Sequence, residues 1–124
     1  QHHIGSLGFY GTYRKVGDRP VPHYMMLAGG STKEGEARFG QVIAALPARR
    51  VPDAVKKVIG AYKSERQGVE LFETWFDRVG KSHVKELVQE FTVLPPYAEN
   101  PTLYFDWGET ADFKPDIGVG ECAA

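Results

Sequence analysis

Apolar positions change period along the chain, and the change marks out its elements. Ile4, Leu7 and Phe9 alternate loosely over residues 4–10 with glycines at 5, 8 and 11, the mark of a strand in a tight place. Residues 12–20 are polar and end in Gly17-Asp18-Arg19-Pro20, which predicts a turn region. Val21 to Ala28 is almost continuously apolar and reads as a strand buried on both faces. Gly29 to Gly35 is a glycine-rich loop, and Phe39 to Leu46 a third strand, so the last two strands predict an antiparallel hairpin.

Beyond Pro47 the period lengthens to that of helices. Pro52 suits the first residue of a helix, with Val55, Val58, Ile59 and Tyr62 as its buried face and Gly68 as its stop. A second helix is predicted from Glu70 to Val79, carrying Leu71, Phe72, Trp75, Phe76 and Val79 and ending at Gly80. Ser82 is placed to cap a third, with Val84, Leu87, Val88 and Phe91 inward. Pro95-Pro96 ends the periodicity, and an acidic tail with aromatic anchors follows. The expected class is α+β: a small, mainly antiparallel sheet covered by about three helices, with an extended C-terminal tail. A single domain is expected over residues 1–124, with strands in 1–50, helices in 52–91 and the tail in 92–124.

Charge adds an asymmetry to this outline. Residues 1–66 hold eleven Lys/Arg against five Asp/Glu, a balance of +6; residues 67–124 hold four against eleven, a balance of −7. Such a split serves two complementary faces, two neighbouring domains, or a half that meets a polyanion. No apolar run approaches the ~20 residues of a membrane span, and no export signal opens the sequence, so no membrane partner is expected. The single cysteine, Cys122, cannot form an internal disulfide, which points to a reducing, cytoplasmic setting.

Candidate chemistry within the chain is sparse. His2 and His3 are adjacent, so on a strand they face opposite ways and do not ligate one metal together. His23 falls on a buried strand and His83 in the first turn of a helix, and no cysteine partners them. Ala28-Gly29-Gly30-Ser31-Thr32-Lys33 lacks the spacing of a phosphate loop, although Gly29-Gly30 lets backbone approach a large ligand. Arg49, Arg50, Lys56 and Lys57 gather at a strand-to-helix junction, without the recognition helix or interleaved aromatics of a nucleic-acid binder. No catalytic residue, no metal ligand and no nucleic-acid partner is assigned.

Taken together, five segments carry a resemblance. Gln1-His2-His3-Ile4-Gly5-Ser6-Leu7-Gly8-Phe9-Tyr10-Gly11 resembles the stretch that follows the cluster-binding cysteines of sirohaem-dependent sulfite and nitrite reductases. Val21-Pro22-His23-Tyr24 leading to Leu27-Ala28-Gly29-Gly30 resembles that family's Tyr-x-Leu-x-Leu-Gly-Gly strand, and Leu46-Pro47-Ala48-Arg49-Arg50-Val51-Pro52 its Val-Pro-Ala-Lys-x-Val-Pro junction. Tyr62 to Phe72, continuing to Phe76-Asp77-Arg78-Val79-Gly80, is similar to its closing helix pair. Asp106-Trp107-Gly108 and Gly118 to Ala123 resemble the tail of some bacterial members.

The resemblance implies the C-terminal portion of a longer enzyme, cut just past the cysteines. It implies sirohaem coupled to a four-iron four-sulfur cluster, reducing sulfite to sulfide or nitrite to ammonia with electrons from a ferredoxin or a flavoprotein. The cluster-binding cysteines are absent here and Cys122 matches none of them, so this chain alone is expected to be inert and to hold no cofactor. Its partner would be the rest of the same polypeptide. Gln1, His2 and His3 would lie nearest the cluster, Gly29 and Gly30 near the cofactor, and Arg49 and Arg50 among the cations that neutralise it. The alternative is a stand-alone α+β interaction module that docks an acidic redox partner.

Overall fold

A computed structural model describes residues 5–31, 38–109 and 111–115. Strands β1 (Leu7–Val16), β2 (Arg19–Ala28) and β3 (Gln41–Pro47) form an antiparallel sheet in the order β1-β2-β3. Helices α1 (Val51–Glu65), α2 (Phe72–Val79) and α3 (Lys81–Val88) follow, so the class is α+β as the apolar pattern predicts. No helix among the described residues is long and apolar enough to cross a membrane.

The first hairpin is longer than its sequence suggests. Residues 12–16 continue β1, Arg19 and Pro20 open β2, and the turn shrinks to Gly17-Asp18, with Gly17 at a φ of +64°. Glycine at the first of two turn positions is the pattern of a tight hairpin. Polar composition did not oppose a strand here because Tyr13, Arg14, Lys15 and Val16 are exposed, so no apolar face had to be written into them.

β2 carries two prolines although it is the central strand. The pair closing a two-residue hairpin, Val16 with Arg19, exchanges both hydrogen bonds, so Pro20 and Pro22 fall at positions whose nitrogen points away from β1. On that side β3 reaches only as far as His23, which pairs with Pro47. The missing donors therefore cost no ladder bonds, and they end the β2–β3 pairing. A register shift at Met26/Leu27 leaves Ile43 as an extra residue, and Ile43 is buried in the core.

Two apolar clusters follow. The larger gathers Met26, Ala28, Ile43 and Leu46 of the sheet with Ala54, Val58, Trp75, Phe76, Val84 and Val88 of the helices. Each fully buried large side chain contributes about 1.5–3 kcal/mol. The smaller joins Val21 to Leu103 and Tyr104, which lie on a 3-10 turn at Pro101–Tyr104. The Tyr104 hydroxyl donates to Pro95 O at 2.8 Å, tying the tail to the proline break.

The helices differ from expectation in detail. α1 begins one residue before Pro52, which sits in the first turn where its missing N–H is harmless. It ends at Glu65, ahead of Gly68, and Ile59 is 37% exposed, whereas Ala54 and Val58 are buried. α2 starts at Phe72, not Glu70, because Leu71 before it has extended backbone, with a ψ of 160°; the Glu70 carboxylate is engaged by Arg78 Nη2 at 2.9 Å and the backbone N–H of Gln67 at 3.3 Å. The Arg78 guanidinium, first of all through this hydrogen bond, holds the Glu70 carboxyl below its usual pKa. Gly80 ends α2 as predicted, at a φ of +86° with its N–H on Phe76 O at 2.9 Å. It is also the residue preceding α3, so Ser82 lies inside that helix and caps nothing.

Candidate functional site

Gly29 and Gly30 fall at one end of the sheet, and Arg49 and Arg50 at the other. Gln1, His2 and His3 lie outside the described residues, as does Cys122. The chain that follows them is placed by Ser6, whose carbonyl accepts the N–H of Gly29 at 3.0 Å. Ser6 and the Gly29-Gly30 turn therefore meet at the end of β2.

That end is built by close packing. Gly29 has a φ of +84°, and a Cβ there would stand 2.5 Å from Phe76 Cδ1. Only glycine satisfies both the backbone and the ring of α2 lying over it. Arg38 then clamps the turn: its Nε donates to Gly29 O at 2.8 Å, and its Nη2 reaches Asp77 of α2 at 2.9 Å. The Ser6 hydroxyl donates to Glu73, one helical turn earlier. Gly30 is buried beside this junction. Arg38 and Glu73 were not singled out from sequence, since nothing local marks a residue whose partners lie 39 or 67 positions away.

The second end lies where β3 leaves the sheet. His23, paired with Pro47, is six residues from Gly29, about 20 Å along β2. Arg49 and Arg50 follow Pro47 on a 3-10 turn, Ala48–Arg50, so they do not join the Gly29 end.

Arg49 is fully employed by the tail. Its Nη2 donates to Asp106 O at 2.9 Å and Glu109 O at 3.1 Å, and its Nε to Phe105 O at 3.4 Å. Its guanidinium also lies 4.9 Å from the Trp107 ring centroid, while Trp107 Nε1 donates to Ala48 O at 2.9 Å. A planar fork with several donors suits a row of carbonyls better than an ammonium would. Arg50 differs, because its Nε is buried and has no hydrogen-bond partner among the described residues. A buried N–H left in this way costs free energy until an acceptor reaches it.

His23 stands next to this end, buried as its strand predicts at 4% exposure. Its Nδ1 lies 3.0 Å from Val21 O, which fixes a proton on that nitrogen. Burial, with the nearby Arg14 charge adding to it, lowers the pKa from 6.5 despite the Val21 carbonyl, so the ring is neutral at pH 7. His83 has a different partner, Glu65 Oε1 at 2.7 Å, and its ring meets Trp75 edge-on with centroids 6.4 Å apart.

Among the described residues, no three His, Cys, Asp or Glu side chains gather to hold a metal ion. For an anionic cofactor the fit divides: Gly29 and Arg49 are accounted for by Phe76 and the tail carbonyls, whereas Arg50 offers a donor that the described residues leave unmet. Comparison with protein-family models, with curated proteins and with solved structures finds no match.

Proposed function

We propose that this chain is the C-terminal portion of a reductase that converts sulfite to sulfide or nitrite to ammonia with coupled sirohaem and four-iron four-sulfur groups. The order of the five resembling segments suggests the reading. The Ser6–Gly29 hydrogen bond carries it, because it draws the segment after Gln1-His2-His3 and the Gly29-Gly30 turn to one place. The cofactor pair, when bound, supplies electrons to an anion at the open haem position. This chain's residues shape the surroundings: Gly29 and Phe76 hold the turn rigid, and Arg50 offers an N–H to a carboxylate. A cytoplasmic setting and a ferredoxin or flavoprotein donor belong to the same reading.

The test is an absorption spectrum of the full-length protein together with the sequence encoded ahead of Gln1. Clustered cysteines directly upstream and a sirohaem band that shifts on adding sulfite or nitrite are expected. A full-length protein with neither would overturn the assignment.

A further inference from the structure

We infer that β1 is the seam of a symmetric dimer, in which the outer edges of two copies of this chain pair antiparallel into one continuous sheet. The two edges of the sheet are not alike. On the β3 side a register shift at Met26/Leu27 disturbs the strand and Pro47 ends it, and Pro20 and Pro22 withhold donors where β3 no longer reaches. Prolines and bulges are the means by which an edge is closed to further strands. β1 carries neither. Its pairing with β2 runs unshifted from Leu7↔Ala28 to Val16↔Arg19, and no proline interrupts it. Because Val16 and Arg19 exchange both hydrogen bonds, Leu7, Phe9, Gly11, Tyr13 and Lys15 turn their N–H and C=O groups outwards. Among the described residues no strand takes these groups up.

The sequence of β1 fits a second copy of itself in one register. With a two-fold axis at right angles to the sheet through paired Gly11 residues, all five outward residues meet one another. Phe9 then faces the second copy's Tyr13, and Leu7 its Lys15. Any other register leaves Leu7 or Lys15 opposite residues outside the strand. Phe9 is only partly buried and Tyr13 is 39% exposed, so the two rings cover each other as a cross-strand pair. No like charges stand opposite, because Arg14 meets Gly8 and Lys15 meets Leu7.

Charge complementarity selects a second copy over an unrelated strand. Leu7 and Phe9 pack against the core cluster, so the outward residues of β1 share the helix-bearing face. Glu73 of α2 lies at the Leu7 end of that face, where its carboxylate accepts the Ser6 hydroxyl. Lys15 is exposed and has no ion-pair partner among the described residues. In this register it reaches the second copy's Glu73, and the contact occurs twice about the axis.

The dimer does not depend on the reductase reading, and sedimentation equilibrium of this chain tests it. Monomer and dimer are expected to exchange as concentration rises. Lys15→Glu and Glu73→Lys each turn two attractions into two repulsions, and each should weaken dimerisation by about a hundredfold. Mixing the two variants sets opposite charges together at both contacts, so the mixture should dimerise about as well as the unchanged chain. Tyr13→Pro removes an outward donor, as Pro22 does on the neighbouring strand, and should leave a monomer. Lys85→Glu, on the α3 helix that packs against β3, should leave the affinity within about twofold.

A monomer at every concentration, a dimer indifferent to Lys15→Glu and Glu73→Lys, or no recovery on mixing would each overturn the seam. The charge variants leave every backbone group in place, so the mixing result decides even where Tyr13→Pro fails to fold. A sirohaem band in the full-length protein with a monomeric chain overturns the dimer alone. A charge-sensitive dimer without that band overturns the reductase reading alone.

Discussion

The two ends of the sheet are held by different physics. At the Gly29 end a ring from α2 lies where a side chain would have been, and shape decides what is tolerated. At the Arg49 end the contact is made of directed hydrogen bonds from one guanidinium to three carbonyls, and donors decide. Close packing resists an added atom, whereas a polar clasp resists a removed one. Substitutions at the two ends should therefore fail in opposite directions.

The largest effect is expected from Gly29→Val. Backbone strain and overlap with Phe76 together cost about 4 kcal/mol, read as a lower urea midpoint. Adding Phe76→Leu should recover about 1–2 kcal/mol of the loss, a coupling that simple additivity would contradict. Arg49→Ala comes next at about 2 kcal/mol, since bonds from a charged donor are lost together. Its signature is local: proteolysis near residues 105–115 rises and Trp107 fluorescence shifts, while the Gly29 end keeps its amide protection. Arg49→Lys should restore only part of the clasp.

Arg50→Met has the opposite sign. Removing a buried donor that has no partner among the described residues should stabilise this chain by up to about 1 kcal/mol. In the proposed reductase the same change should lower cofactor content, and equal cofactor loading would remove Arg50 from the proposed site. The smallest effect is the pH dependence of His23. Its folded pKa lies below the unfolded value of 6.5, so the unfolded state binds the extra proton. Its contribution is complete above that value and is lost as pH falls below 6.5 through the folded pKa. His23→Gln should flatten this part of the stability–pH curve, and an unchanged slope would assign it to other groups.

The sequence was legible where burial had to be written into it. Val21–Ala28 is apolar because β2 lies between two strands and under helices, and Gly80 was visible because α2 needed a positive φ to stop. Residues 12–16 were not legible as strand, since an exposed hairpin arm needs no alternation. The face of α1 was misplaced towards Ile59 because alanines carry little apolar weight, yet Ala54 is fully buried. At the candidate site, Gly29, Gly30, Arg49 and Arg50 stood out by type and order alone. Their partners Phe76 and Asp106 lie 47 and 57 positions further along the chain, too far for any local pattern to reveal.

That separation also orders the assembly of the molecule. The β1–β2 hairpin closes across two residues, whereas the Arg49 clasp must close a loop of more than fifty. Loop closure costs entropy that grows with length and is repaid only when the contact forms. The hairpin can therefore form while the tail is still searching, and the clasp belongs to the last stage of folding. Arg49 variants should therefore unfold faster while the sheet refolds at an unchanged rate.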